Sequence, residues 1–152
     1  FGNIFENSNW IAKKVYKQQP FRDFKNLTEK MISTFEEADK QVKLKILNSH
    51  PDLANKIKIG SLTSDSIKEQ SNAGLNECTE DEFNDFKTLN LKYKSKFGFP
   101  FILAVKGKNK IEILDSFKKR FLANKENEFD EAIKQVKKIA SLRLAELKNI
   151  YN

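Results

Sequence analysis

Apolar positions recur at three- and four-residue intervals over most of this chain, the spacing that gathers them on one face of an α-helix. Residues 1–18, "FGNIFENSNWIAKKVYKQ", carry Ile4, Phe5, Trp10, Ile11 and Val15 at mostly helical spacing, and Pro20 stops the segment. Leu27, Met31, Ile32 and Phe35 mark a second helix, and Val42, Leu44, Ile46 and Leu47 a third over residues 37–48. A short helix or turn opened by Pro51 is expected over 48–58, a fifth helix over 64–73 ended by Gly74, and a long sixth over 81–96. Two further helices, 110–123 and 126–151, close the chain. The run "KFGFPFILAVKG" breaks the period, because it is apolar and interrupted by Gly98 and Pro100; a buried strand or core loop is expected there. With five glycines and three prolines, and no repeat or linker, the pattern predicts one all-α domain of about eight helices over residues 1–152.

A chain of 152 residues buries roughly 70% of the surface its unfolded form exposes, so no metal or disulfide staple is needed. Cys78 is the only cysteine and His50 the only histidine, which excludes an intrachain disulfide and leaves no Cys/His set for zinc. No apolar run reaches the ~20 residues of a membrane-spanning helix, and the polar first residues lack the apolar core of a signal peptide. A metal-free protein of the cytoplasm, bound to neither membrane nor nucleic acid, is expected. The net charge of +7 raises the nucleic-acid question, but only Arg22, Arg120 and Arg143 of the 28 basic residues are arginine, and the lysines are dispersed. Such a field suits a small anionic substrate better than a polyanion.

Four features exceed what a plain helical bundle needs. His50 precedes Pro51, and proline disfavours the α region for the residue before it, so one helix ends at His50 and the next begins. The ring then either meets the C-terminal dipole of the preceding helix or serves as the proton-transfer group its pKa suits. Ser66 and Glu69 stand three apart, the form of a capping box; with Gln70 they also compose a polar helix face fit for a pocket wall. In the last helix Phe129, Ile133, Val136, Ala140, Arg143, Leu147 and Ile150 follow an alternating four-three spacing, so Arg143 interrupts an apolar stripe. A guanidinium facing inward requires a partner, either a buried carboxylate or a ligand. Finally, Phe101, Ile102, Leu103, Ala104 and Val105 have core-forming side chains, while their backbone groups lack a helical ladder and could face a flat heterocycle. Cys78 has no neighbour in sequence arranged to lower its pKa, which disfavours a nucleophilic pairing with His50.

In this order, His50-Pro51-Asp52-Leu53, Ser66-x-x-Glu69-Gln70 with Ala73-Gly74-Leu75, "LNLKYKSKFGFPFI", Arg120 and Arg143-Leu144, these features resemble one family, the decarboxylases of 2-oxo-4-hydroxy-4-carboxy-5-ureidoimidazoline (OHCU) of urate catabolism. The similarity runs from "FENSNW" to the last helix; Asn9 stands where proline is common, and Gln19 where arginine often precedes Pro-Phe. The resemblance implies an all-helical, homodimeric, cofactor-free enzyme converting OHCU to (S)-allantoin and CO2. It assigns His50 and Glu69 to catalysis. Pro51, Ser66, Gln70, Arg143 and the backbone of Phe101, Ile102, Leu103, Ala104 and Val105 are assigned to the substrate. A basic helical module that binds nucleic acid or protein without catalysis is the alternative.

Overall fold

The structure is a computed structural model, and it describes residues 1–53 and 79–151. Among these residues there are six helices and no strand: α1 (Asn9–Tyr16), α2 (Phe24–Glu36), α3 (Lys40–Asn48), α4 (Glu80–Phe97), α5 (Lys110–Phe121) and α6 (Lys125–Tyr151). The all-α expectation holds for them, with six helices described against about eight expected. The helix expected over 64–73 lies outside the described residues. That expected over 48–58 is described only to Leu53, and residues 49–53 are not helical.

Most helix starts follow from short polar side chains that accept the first free backbone N–H groups. Asp23 accepts from Asn26 at 2.7 Å, Asp39 from Val42 at 2.9 Å and Thr79 from Glu82 at 3.2 Å. Asn109 and Glu112 form a reciprocal capping box, with bonds of 2.9 and 3.0 Å. α4 ends because Gly98 takes φ +81°, a left-handed conformation that returns its N–H to the Lys94 carbonyl at 2.8 Å. Asn9 occupies the first position of α1, the helical site where proline also fits.

The first segment differs from its periodicity. Ile4 and Phe5 are buried as expected, but they lie in a non-helical loop before α1. A positive φ of 47° at Asn7 and a 2.8 Å bond from Ser8 Oγ to the Glu6 carbonyl turn this loop. Its carbonyls find a partner elsewhere: Arg143 donates to those of Ile4 and Asn3 at 3.1 and 3.5 Å. A guanidinium thus replaces the helical ladder that the sequence pattern implied.

α6 is the spine, packing against α2, α3 and α4, while α1 packs on α2 and α5 on α4. Its buried face comprises Glu128, Ala132, Val136, Ile139, Ala140, Arg143 and Leu144; the expected stripe fades beyond these, and Ile150 is exposed. The segment after Gly98 runs without helix or strand through the core, with Phe99, Phe101, Ile102, Leu103, Ala104 and Val105 all buried. Phe101 stacks on Phe117 at 3.9 Å between centroids, and both meet the Tyr93 ring edge-on. Phe117→Ala should therefore cost about 3–5 kcal/mol, and Gly98→Ala about 1–2 kcal/mol through left-handed strain. Urea unfolding measures both.

Candidate active site

The C-terminus of α3 sets the position of His50. Ser49 caps the helix, its N–H bonded to the carbonyls of Lys45 and Ile46, both at 3.1 Å. The His50 N–H donates to Leu47 at 3.2 Å, and Pro51 prevents continuation. His50 is buried, with its ring folded back so that Nδ1 lies 3.0 Å from the Ile46 carbonyl. A carbonyl only accepts, so Nδ1 carries the proton; in the neutral ring Nε2 is then the acceptor. One nitrogen meets the helix C-terminus, as the helix-stop reading anticipated, and the other keeps the lone pair a base requires.

The residues after His50 are pinned to α4. Lys94 lies 3.5 Å from Asp52, and the buried Asn90 side chain donates to the Leu53 carbonyl at 2.9 Å. Burial pushes the His50 pKa below its ordinary 6.5; the Ile46 hydrogen bond and the negative charge of Glu6 act upward, and the positive charge of Arg143 downward.

Arg143 is buried together with Glu6, whose carboxylate accepts from Nη2 at 3.0 Å. The carboxylate partner considered from the sequence is therefore present. Glu6 itself escaped the sequence reading, although a carboxylate next to the apolar pair Ile4-Phe5 was a usable signal. Arg143 also lines a cleft of about 80 Å³ with Ala104, Val105, Lys106, Gly107, Ile139, Leu142 and Glu146. The structure thus brings Arg143 to the segment containing Ala104 and Val105, and to electrostatic range of His50. A wider apolar hollow of about 870 Å³ between α1 and α2, lined in part by Tyr16, Phe21 and Met31, holds none of the residues expected for the chemistry.

Segment 101–105 is held by two side chains. Arg120 Nη1 donates to the Ile102 carbonyl at 2.5 Å, and Gln135 Oε1 accepts from the Ala104 N–H at 3.0 Å. The Val105 carbonyl accepts from Lys108 at 3.0 Å. Arg120 is itself fixed by the buried Glu128 (Nε to Oε1, 2.7 Å), which also accepts from the Tyr93 hydroxyl, and its guanidinium sits 4.4 Å from the Phe101 ring centre. Burial, then the Glu128 bond, pushes the Tyr93 pKa up, so the phenol stays protonated as the donor. Neither Gln135 nor the anchoring role of Arg120 was foreseen; both are contacts between distant segments. Ser66, Glu69, Gln70 and Cys78 lie outside the described residues. Among those described, no three His, Cys, Asp or Glu side chains group as metal ligands, and no helix is long and apolar enough to cross a membrane.

A buried, neutral imidazole in the electrostatic field of a paired guanidinium suits proton transfer on a small polar molecule. The family model described as OHCU decarboxylase matches residues 1–145, and the chain belongs to that family. It is 44% identical over 146 residues to the "Uric acid degradation bifunctional protein" of Bacillus sp. (strain TB-90), covering 96% of this chain but only 28% of that protein's length. It is 38% identical, over 96% of this chain and 81% of the other, to the "2-oxo-4-hydroxy-4-carboxy-5-ureidoimidazoline decarboxylase" of Halalkalicoccus jeotgali (strain DSM 18796 / CECT 7217 / JCM 14584 / KCTC 4019 / B3). The solved structure of an OHCU decarboxylase in the presence of (S)-allantoin matches with a TM-score of 0.78 at 23% identity, covering 95% of this chain and 94% of that one; the fold is shared.

The depressed pKa has a consequence for stability. Above pH 6.5 the ring is neutral in both folded and unfolded chains. As pH falls through 6.5 the unfolded chain takes up a proton that the folded ring accepts only at lower pH, so stability declines through that window. Urea unfolding at a series of pH values should show a steeper loss below pH 6.5 for wild type than for His50→Asn.

Proposed function

We propose that this chain is a carboxy-lyase that converts OHCU to (S)-allantoin and CO2 in urate degradation, with His50 as its acid/base. The observation carrying this reading is the placement of His50: it is buried and pinned through Nδ1, which leaves Nε2 as the basic nitrogen, and it is within range of Arg143. Family membership supplies the substrate.

The chemistry suits these groups. Breaking the bond to CO2 leaves an electron pair that the adjacent ring C=N accepts, so the substrate provides its own electron sink and no cofactor is called for. The protein then supplies orientation and a proton. His50, oriented by its Nδ1–H bond to the Ile46 carbonyl, takes the hydroxyl proton at Nε2 and assists its return to one face of the new carbon centre, with Glu69 as the second catalytic group, while the ring nitrogen that accepted the electron pair takes a proton from solvent. Arg143 pairs with an anionic or carbonyl oxygen. Ser66, Gln70, Pro51 and backbone groups of residues 101–105 hold the ureido and ring carbonyl groups. Arg120 occupies the Ile102 carbonyl, Gln135 the Ala104 N–H and Lys108 the Val105 carbonyl, so a ligand takes other backbone groups of this segment. Fixing the substrate contributes several kcal/mol by removing orientational entropy. The reading extends to one catalytic domain over residues 1–152 that acts in the cytoplasm as a homodimer, a state that sedimentation at twice the 17.6 kDa chain mass would reveal.

The test generates OHCU from urate with urate oxidase and hydroxyisourate hydrolase and follows the optical activity of the product. Wild type should accelerate formation of (S)-allantoin; a racemic product or no acceleration refutes the decarboxylase. His50→Asn should lose a factor of ~10² to 10⁴ in rate with helical circular dichroism intact. Arg143→Lys should be impaired as well, because an ammonium lacks the guanidinium's fork of donors.

A further inference from the structure

We propose that Glu6 is a positioning residue for this reaction: its buried carboxylate holds the Arg143 guanidinium in place at the cleft that Arg143 lines with Ala104 and Val105. The inference rests on the decarboxylase reading for its effect on rate, on geometry for its hold on Arg143, and on charge for its effect on His50.

The loop that carries Glu6 is over-determined. Ile4 and Phe5 immediately before it are buried, with Phe5 packed on Phe35 at 5.1 Å between centroids. Ser8 Oγ bonds the Glu6 carbonyl at 2.8 Å, and Asn7 makes the turn at positive φ. From this fixed base the carboxylate meets Nη2 of Arg143 at 3.0 Å, while the loop carbonyls of Ile4 and Asn3 receive Nη1. The side chains of Arg143 and Glu6 are only 3% and 2% exposed. The guanidinium plane is thereby set by the N-terminal loop, 137 residues away in sequence, and not only by its own helix.

Stability alone does not require a charged pair here, since well-packed apolar residues often stabilise such a place as well as a buried ion pair does. Here the pair stands where Arg143 lines the cleft with Ala104 and Val105, and where both of its charges act on the single histidine. The described charged groups whose field acts on His50 are Glu6 from the N-terminal loop and Arg143 from α6; its own helix offers the Ile46 carbonyl, and Asp52 just beyond is engaged by Lys94 of α4. Glu6 thus fixes the arginine and offsets its charge at His50.

Because His50 is the only histidine, its ring gives one set of NMR signals whose titration is read without substrate. Glu6→Gln keeps the shape and removes the charge. It should lower kcat/KM by about tenfold to hundredfold with helical circular dichroism unchanged, and move the His50 titration to lower pH, since the upward influence of Glu6 is lost while that of Arg143 stays. A fall in kcat/KM with an unmoved titration identifies a merely structural pair and overturns the proposal; so does an unchanged kcat/KM. If Glu6→Gln does not fold, Glu6→Asp replaces it, retaining the charge but withdrawing it by one methylene: lost activity with a His50 titration near wild type supports the proposal, and full activity overturns it. Wild type that fails to turn over OHCU refutes the functional reading alone, and the Arg143 Nε–H signal then decides the Glu6 inference: displaced in Glu6→Gln it supports positioning, unmoved it overturns it.

Discussion

A guanidinium cannot shed its proton, so Arg143, placed in the seam of α6, obliges the fold to bring it partners. Those partners come from the far end of the chain. The N-terminal loop supplies one carboxylate and two carbonyls, and in doing so forgoes the helix that its own periodicity favoured. Removing one member of such a buried pair costs about 3–5 kcal/mol, a large part of the ~5–15 kcal/mol by which a domain is stable. The same constraint that closes the fold therefore sets the charged pair whose field acts on His50.

A second buried network performs the corresponding task for the segment after Gly98. Tyr93, Glu128 and Arg120 form a polar centre within an aromatic cluster, and its outward bond to the Ile102 carbonyl, with that of Gln135 to Ala104, holds a stretch without helix or strand in one conformation. Aromatic stacking of Phe101 on Phe117 and the guanidinium beside Phe101 lock the side-chain face. Alternate backbone groups are thereby consumed, which narrows those left for a ligand. Rigid backbone of this kind is what orientation of a small substrate requires.

Features written in local sequence were legible without coordinates. Pro51 announced the helix stop that holds His50, and the four-three spacing of the last helix exposed Arg143 as an inward-facing charge in need of a partner. The caps at Asp23, Asp39, Thr79 and Asn109 are just as local, yet were not read from the sequence, where apolar spacing alone set the helix bounds. What escaped depends on contacts between distant segments. Ile4 and Phe5 have helical spacing whether or not a guanidinium takes their carbonyls, so periodicity alone overextended the first helix. Glu6 and Gln135 gain their meaning from partners 137 and 31 residues away. Ile150 keeps the four-three spacing and is nonetheless exposed, which spacing does not report.

His50 and Arg143 are proposed to serve one small-molecule site. The most direct test is the NMR spectrum of protein labelled in histidine and arginine, recorded while (S)-allantoin is added. Saturable shifts of both the His50 ring and the Arg143 Nε–H, with one common affinity and weaker effects from (R)-allantoin, are the result expected. Signals that do not move, or that move with unrelated affinities, would contradict a shared site.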